Sequence, residues 1–388
     1  MYTIQTLNRI SDCIREVLPE GRYRIDEAAQ APDAVLVRSA DMHGMEAPRS
    51  LLAVARAGAG YNNIPVDEYT KRGVCVFNTP GANANAVAEL VLLGLLLSGR
   101  RVVDGIEWAR ALKGREGVPG LVEKGKGQFA GPELRGKTLG VIGLGAIGIL
   151  VANAAAQGLG MTVLGEDPFI SVQHAWSLSR AVQRVDSVEE ILAQSDFVTV
   201  HVPLSEKTRG MIDSAALARM KPGARLLNFS RAELVDGEAV RAALQAGKLA
   251  AYITDFPTDD MLGAPGVVCI PHLGASTPES EENCARMAAE ELRAYLETGS
   301  IHNSVNLPEL QLGRPEGARL QVIHANAPGM VSRISAIISG EGINIENMTN
   351  KGRGDWAVTV LETDQPLPES AMAALRALPQ AVRVRAVL

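Results

Sequence analysis

The chain has 388 residues, with 38 lysines and arginines against 44 aspartates and glutamates, which gives a formal net charge of -6 at pH 7. This length predicts two or three domains with a large buried core, and the acidic balance without a basic tract argues against nucleic acid as a partner. The four cysteines are scattered without a C-x-x-C pair, so we expect no disulfide framework, no metal site and a reduced, cytoplasmic protein.

The first 95 residues alternate short apolar runs with loops, which predicts a small α/β unit. The most apolar stretch, residues 84–98, carries Asn85 and Glu89 and is too short to cross a bilayer, so we expect a buried helix and no membrane partner. Because that helix is too apolar for a solvent face, it also predicts a homodimer or homotetramer. The N-terminus has neither the basic nor the apolar region of a signal peptide.

A glycine pattern in the middle of the chain predicts a dinucleotide site. A short apolar strand, 138–142, leads into Gly143, Gly145 and Gly148, and a helix-forming run follows. In a G-x-G-x-x-G turn the glycines allow a tight bend, let the backbone approach a pyrophosphate, and let helix and strand pack closely. Asp167 follows a second strand, where its carboxylate could accept the ribose hydroxyls of NAD and repel the 2′-phosphate of NADP. NAD is therefore the expected cofactor.

Strands and helices continue to alternate after this fingerprint, which predicts a doubly wound sheet. Strands at 161–164, 197–202, 225–229, 250–254 and 267–270 bring the predicted total to six. Because the fingerprint begins so late, we expect the cofactor domain, 96–277, to be inserted in a substrate-binding domain made of 1–95 and 278–308.

The C-terminal region predicts a separate regulatory domain. A linker containing Pro and Gly, 307–317, precedes residues 318–388, whose apolar runs predict the order βαββαβ of a ferredoxin-like fold. The predicted fold class is thus α/β, with two doubly wound domains of Rossmann-like or flavodoxin-like type and a C-terminal ferredoxin-like domain.

Two side chains suited to hydride transfer follow strands of the cofactor domain. Arg231 and His272 each stand just after a predicted strand, at the edge where open α/β sheets bind ligands. Oxidation of an acidic alcohol needs a base for the hydroxyl proton and a cation for the carboxylate. Asp255, Asp259 and Asp260 are the candidates for the carboxylate that orients the histidine. From spacing alone, three non-catalytic alternatives, a surface ion pair, a turn histidine and a solvated acidic loop, carry about as much weight as the catalytic roles.

Four motifs in order resemble those of the D-isomer-specific 2-hydroxyacid dehydrogenases. They are Gly143–Gly148, Asn228–Arg231, Asp255–Pro257 and Pro271–Thr277. The resemblance implies that Arg231 binds the substrate carboxylate and that His272 is the acid/base. For the carboxylate paired with the histidine, matching Phe-Pro-Thr favours Asp259, whereas counting from Asp255 favours Asp260.

The resemblance also implies the binding residues. With the fingerprint, the implied cofactor contacts are Thr79, Gly143, Gly145, Ala146, Ile147, Gly148, Asp167, Phe229, Ser230, Arg231, Asp255, His272, Gly274 and Ala275. Asp255 matches the family's nicotinamide-contacting aspartate only after a shift of one residue. The implied substrate contacts are Arg38, Ser39, Gly58, Ala59, Gly60, Arg231 and His272, and backbone N–H groups in the glycine loop can hold a carboxylate.

Residues 318–388 resemble an ACT domain, the regulatory module of phosphoglycerate dehydrogenases. The match implies L-serine as effector, held by His324 and Asn326 and by Asn344 of a neighbouring subunit; the alternative is a strand-end histidine with no ligand. This branch of the family implies NAD-dependent oxidation of 3-phosphoglycerate to 3-phosphohydroxypyruvate, at the start of serine biosynthesis. Arg38 would bind the phosphate, with Arg56, Lys126 and Lys137 as alternatives for a second cation.

Three other functions share parts of this pattern. A glyoxylate or hydroxypyruvate reductase has the same fold and the same catalytic pair. A non-catalytic, NAD-sensing scaffold of the corepressor type would not need Arg231 and His272. An amino-acid sensor would use the C-terminal domain and keep only a vestigial dehydrogenase.

Overall fold

The computed structural model describes residues 1–315 and 317–387, so Glu316 of the predicted linker and Leu388 of the predicted C-terminal domain lie outside the described residues. The chain divides into two compact units, Met1–Asn83 with Pro278–Leu388, and Ala84–Thr277. Across the described ranges, no helix has both the length and the apolar character needed to cross a membrane.

A five-stranded parallel sheet forms the start of the first unit. Its strands are β1 (Tyr2–Leu7), β2 (Tyr23–Ile25), β3 (Ala34–Val37), β4 (Ala53–Arg56) and β5 (Cys75–Asn78), with helices α1 (Ile14–Val17) and α2 (Val66–Lys71). The order β2-β1-β3-β4-β5 is flavodoxin-like, as predicted. All four residues of β3 are buried, because a parallel sheet is covered on both faces.

The second unit begins with helices and continues as a seven-stranded parallel sheet. The helices before the sheet are α3 (Ala84–Gly99), α4 (Val102–Ala111) and α5 (Val118–Gly125). The sheet and its helices are β6 (Thr138–Ile142), α6 (Ala146–Gln157), β7 (Thr162–Glu166), α7 (Val172–Ser177), β8 (Val182–Arg184), α8 (Val188–Gln194), β9 (Phe197–Val200), α9 (Ser214–Arg219), β10 (Ala224–Asn228), α10 (Gly237–Gln245), β11 (Leu249–Thr254) and β12 (Val267–Cys269). The order β12-β11-β10-β9-β6-β7-β8 is that of a doubly wound Rossmann-like sheet and confirms the predicted class.

The sequence analysis did not identify three of the strands, β1, β2 and β8. The last of them, β8, shows why. It is an edge strand of three residues, and two of them are exposed. A strand this short carries no readable alternation of apolar and polar residues, so only its pairing with β7 identifies it.

The chain then returns to the first unit. Helix α11 (Pro278–Thr298) is followed by β13 (Ala318–Ala325), α12 (Met330–Gly340), β14 (Ile345–Arg353), β15 (Trp356–Thr363), α13 (Glu369–Arg376) and β16 (Ala381–Val387). The last four strands form an antiparallel sheet of order β14-β15-β13-β16, which confirms the predicted ferredoxin-like domain.

Helix α11 joins the two sheets of the first unit. Its buried residues Tyr295 and Leu296 share one apolar cluster with Leu36 of β3 and with Ile323 and Val358 of the C-terminal sheet. The other face of that sheet is covered by α12 and α13. The C-terminal domain therefore packs directly on the helix that completes the first sheet.

Candidate active site

The glycine turn between β6 and α6 has the geometry of a dinucleotide cradle. Gly143 has φ +91, and a Cβ atom there would lie 2.6 Å from the carbonyl oxygen of His201. A Cβ atom on Gly148 would lie 2.0 Å from the oxygen of Gly143, whereas one on Gly145 would meet nothing within 4 Å. Two glycines thus serve the packing of the turn, and Gly145 leaves open space above it.

The first turn of α6 can bind an anion. No side chain of residues 1–315 or 317–387 caps its N-terminus at Gly145, so the backbone N–H groups at Ala146 and Ile147 point out of the helix end without a capping acceptor. The predicted pyrophosphate contacts stand at this position, and the residues present fit a bound NAD.

Asp167 stands one residue after β7, beside the same turn. Its Oδ2 accepts the backbone N–H of Leu144 at 2.9 Å, and its Oδ1 accepts that of Phe169 at 2.8 Å. Each carboxylate oxygen can accept a second hydrogen bond, which leaves capacity for two ribose hydroxyls. The carboxylate is therefore tied to the glycine turn before any cofactor binds.

The loop after β10 presents Arg231 on a rigid backbone. Asn228, which is fully buried, donates from Nδ2 to the carbonyl oxygen of Arg231 at 2.8 Å and accepts the N–H of Ser230 at 3.1 Å. The Ser230 hydroxyl donates to the carbonyl oxygen of Val200 at 2.8 Å, which links the loop to β9. The guanidinium of Arg231 itself is exposed.

His272 lies in a strained turn after β12. It has φ +53, a left-handed conformation that few residues other than glycine adopt. Asp255, a residue that is 2 % exposed, holds the turn. Its carboxylate accepts the N–H groups of Leu273 and Gly274, each at 2.8 Å. Burial raises the pKa of Asp255, and the two backbone hydrogen bonds oppose that rise. The imidazole ring lies 5.2 Å from the ring of Phe256.

The two other candidate aspartates lie on an exposed turn after β11. Asp260 accepts the Thr258 hydroxyl at 2.6 Å and forms an ion pair with Arg241 at 3.3 Å, and these contacts lower its pKa. Within the described chain, neither Asp259 nor Asp260 hydrogen-bonds to His272.

In the first unit, Arg38 and Arg56 come together at the ends of β3 and β4. The Arg56 Nε donates to the carbonyl oxygen of Arg38 at 3.0 Å, and a Cβ atom on Gly58 would lie 2.2 Å from the Arg56 Nη1. Glu281 of α11 accepts from the Arg38 Nη2 at 2.7 Å. A side chain at position 58 would collide with Arg56, which lies against the backbone there.

Two asparagines that the sequence analysis did not select shape these loops. Asn8 accepts the N–H groups of Ser39 and of the next residue, at 3.0 and 2.6 Å, so the predicted Ser39 N–H is already engaged. Asn78 donates to the carbonyl oxygen of Ala59 at 2.6 Å. Among the described residues, the N–H groups of Ala59 and Gly60 have no partner. Thr79 is fully buried, and its N–H donates to the carbonyl oxygen of Gly58 at 3.2 Å.

His201, directly after β9, is a further residue that spacing did not reveal. Its Nε2 lies 3.0 Å from the Thr199 hydroxyl, and its buried Nδ1 has no partner among the described residues. Burial lowers its pKa to about 4, so the imidazole is neutral at pH 7. The one sequence signal is its place at the end of a strand that borders the glycine turn.

The C-terminal candidates fall at two ends of the antiparallel sheet. His324 is 2 % exposed, and its ring nitrogens contact the carbonyl oxygen of Ala325 at 2.7 Å and the Thr359 hydroxyl at 2.8 Å. The Asn326 side chain donates to the carbonyl oxygen of Gly354 at 3.1 Å. Asn344 precedes β14; its N–H donates to the Asp364 carboxylate at 3.2 Å, and the Asp364 N–H donates to its carbonyl oxygen at 3.3 Å, just beyond the far end of β15. One chain does not bring Asn344 to His324.

Comparison with known proteins identifies the family. A family model described as the NAD binding domain of D-isomer specific 2-hydroxyacid dehydrogenases matches residues 94–274. The D-3-phosphoglycerate dehydrogenase of Escherichia coli strain K12 is 34% identical over 354 residues, which cover 88% of this chain and 82% of the relative.

Solved structures agree with this assignment. The NAD+-bound 3-phosphoglycerate dehydrogenase of Entamoeba histolytica is 26% identical with a TM-score of 0.61, covering 79% of this chain and 98% of that one. The apo D-mandelate dehydrogenase of Rhodotorula graminis is 25% identical with a TM-score of 0.67, covering 80% and 98%. The expected cofactor NAD is confirmed, and the chain belongs to the D-isomer-specific 2-hydroxyacid dehydrogenases, a family of NAD-dependent oxidoreductases.

Proposed function

We propose that this enzyme oxidises D-3-phosphoglycerate to 3-phosphohydroxypyruvate with NAD, the first step of L-serine biosynthesis. The observation that carries the proposal is the pair of arginines at the ends of β3 and β4, in a chain whose curated relatives are named D-3-phosphoglycerate dehydrogenase. A substrate with both a carboxylate and a phosphate needs more cationic groups than a simple hydroxy acid does. Of the alternatives for the second cation, Arg56 is the one in contact with Arg38.

In the proposed reaction, Arg231 binds the carboxylate and aligns C2 of the substrate. His272 accepts the proton of the 2-hydroxyl group while the C2–H bond breaks and the carbonyl group forms. NAD, when bound, supplies the acceptor for the hydride. The Ala59 and Gly60 N–H groups are proposed as further donors to the substrate, because nothing else in the described chain occupies them.

Asp259 is proposed as the carboxylate that pairs with His272. Asp260 is already engaged by Thr258 and Arg241, whereas Asp259 has no such partner among the described residues. A rotation of the exposed turn, coupled to substrate binding, would have to bring the two side chains together, and catalytic hydrogen bonds are often long before the substrate binds.

L-serine is the proposed effector and a homodimer or homotetramer the proposed assembly. The motif resemblance supports both, as does the separation of Asn344 from His324. Six residues of β15 separate their partners, about 20 Å at the usual rise per residue. A ligand touching both would therefore need a second copy of the chain. Serine would also have to replace a present partner of the His324 ring. Two measurements test these proposals. L-serine should inhibit the full chain and should no longer inhibit Asn344→Ala, and light scattering should show a dimer or a tetramer.

The remaining proposals concern domains and compartment. We assign substrate binding to residues 1–95 with 278–308, NAD binding to 96–277, and regulation to the C-terminal domain. Helix α3 spans the first of these boundaries, and its packing with the NAD-binding unit favours placing that boundary at residue 83. The four cysteines are free thiols, which supports the cytoplasm as the compartment.

NADH formation by the purified chain with D-3-phosphoglycerate and NAD tests the proposed reaction. We expect turnover, and we expect Arg231→Ala and His272→Ala each to lower kcat/KM by at least about a thousandfold. Rapid reduction of hydroxypyruvate without 3-phosphoglycerate oxidation would favour the reductase. Unchanged function in both variants would favour the scaffold, and serine binding without turnover would favour the sensor.

A further inference from the structure

The first unit contains a cleft that the proposed reaction does not use. Its volume is about 640 Å³, and it opens between the loop before β4, the end of α2, and the C-terminal elements α13 and β16. Four arginines line it: Arg49 and Arg72 from the first sheet's side, and Arg376 and Arg383 from the C-terminal domain. A cleft lined by one sign of charge focuses the electric field and raises the local concentration of ions of the opposite sign, here anions.

The carboxylates around the cleft balance only half of these charges. Arg72 pairs with Glu68 at 3.2 Å, and Arg376 pairs with Glu369 at 2.6 Å. Arg383 donates to backbone carbonyl oxygens of Arg49 and Arg72 and, in the part of the chain that the structure describes, pairs with no carboxylate. The Arg49 guanidinium has no hydrogen bond or ion pair within the described residues.

Burial makes the missing counter-charge significant. Desolvation lowers the pKa of Arg383, so the surroundings disfavour its charged form. The approach of the two walls is also close, because Gly73 has φ +67 and a Cβ atom there would lie 2.6 Å from the Arg383 Cβ. The two walls of the cleft are therefore in direct contact beside Gly73.

We infer that this cleft binds the phosphate group of a small anion, held between the substrate-binding sheet and the C-terminal domain. Arginine forks suit the several oxygens and the double charge of a phosphate better than they suit a single carboxylate. The volume exceeds what one phosphate ion needs, so an organic phosphate fits as well as inorganic phosphate does. Neither source depends on the identity of the substrate.

Binding across the junction has a physical consequence. The ligand would connect Arg49 and Arg72 to Arg376 and Arg383, which lie on the two sides of the cleft. A ligand that binds only the folded, docked arrangement raises its stability by mass action. Phosphate should therefore raise the melting temperature of the full chain as well as bind to it.

Isothermal titration of the full chain with inorganic phosphate, at constant ionic strength set by chloride, tests the inference. We expect saturable binding in the wild type and at least about tenfold weaker binding in Arg49→Gln, because a charge-assisted contact is removed. Among the described residues the Arg49 side chain has no hydrogen bond or ion pair, so this variant should fold and keep its basal turnover. Arg24→Gln is the matched control, since Arg24 is an exposed arginine of β2, at the opposite edge of the sheet from β5.

A second arm distinguishes the two sources of phosphate. If the cleft binds organic phosphates, titration with D-3-phosphoglycerate should show a class of sites that Arg49→Gln removes. If Arg49→Gln weakens only the binding of inorganic phosphate, the ligand of the cleft is inorganic phosphate. Equal phosphate binding by the wild type and Arg49→Gln would overturn the inference. So would the absence of binding up to about 10 mM phosphate, the range of weak but specific affinities.

Discussion

Replacing Asp255 with asparagine should damage the histidine turn more than it damages the fold. The carboxylate of Asp255 accepts two backbone N–H groups, from Leu273 and Gly274, each at 2.8 Å. Asparagine can accept only one of them, and its amide would point a donor at the other. His272, with φ +53, depends on these bonds to stay in a left-handed conformation.

The magnitude follows from the number of bonds lost. One charge-assisted hydrogen bond and one stranded backbone donor together amount to about 2–4 kcal/mol. The neutral amide removes the desolvation that now opposes the buried charge, so we expect the free energy of unfolding to fall by about 2 kcal/mol. A shift of the imidazole by about 1 Å would lower kcat/KM by roughly a hundredfold.

Urea unfolding and steady-state NADH formation measure the two effects of Asp255→Asn. Asp186→Asn is the control, because Asp186 is an exposed residue of the same unit whose ion pair with Arg184 is worth under about 1 kcal/mol. If the Asp255 variant keeps kcat/KM within about threefold of wild type while losing stability, Asp255 does not position the histidine. Equal losses in the control would refute the local argument altogether.

Three further changes test other parts of the structure. Gly145→Ala should keep the melting temperature but weaken NAD binding by about tenfold or more, whereas Gly148→Ala should lower the free energy of unfolding by about 3 kcal/mol, because its Cβ would meet the Gly143 oxygen at 2.0 Å. Thermal melts and NAD titration measure the two effects. Wild-type NAD affinity in Gly145→Ala would contradict the proposed role of the glycine turn in binding the dinucleotide. Burial raises the pKa of Glu291 from 4.5 to about 8, so the folded state retains a proton that the unfolded state loses, and stability falls as pH rises through that interval. The free energy of unfolding of Glu291→Gln should therefore exceed that of the wild type by about 4 kcal/mol at pH 8 and by little at pH 5. Urea unfolding measures this, and an equal difference at the two pH values would refute it. Asp259→Asn should shift the acidic limb of the pH profile of kcat/KM to lower pH, because a neighbouring carboxylate favours the imidazolium form of a histidine. Asp260→Asn should leave that limb unchanged, and the opposite result would assign the pairing with His272 to Asp260.

Local patterns were sufficient for the architecture. The glycine spacing at 143–148 follows from the steric needs of one turn, and the alternation of apolar runs with helix-forming runs predicts parallel sheets without knowledge of distant contacts. The order βαββαβ after residue 318 was readable for the same reason. The strands β1, β2 and β8 were not identified, and β2 and β8 have only three residues each, too few to show a period.

The site is different, because its supports come from residues far apart in sequence. Arg231 and His272 were predictable as residues that follow strands, yet the residue that holds the histidine turn, Asp255, was selected for other roles. Asn8 holds a loop 31 residues away, and nothing in the sequence around it announces that contact. The partners of a buried hydrogen bond depend on which strands are neighbours, and strand order is a tertiary property.

The sequence by itself determined the fold class of the three sheets, the cofactor turn and the residues proposed to carry the chemistry, since each depends on neighbours within a few positions. Only the tertiary structure decided that the C-terminal domain packs on α11 and that four arginines from two domains line one cleft. The physical reason is range: backbone preferences and apolar periodicity act within a turn or a strand, whereas charge balance and hydrogen-bond partners are settled when distant segments meet.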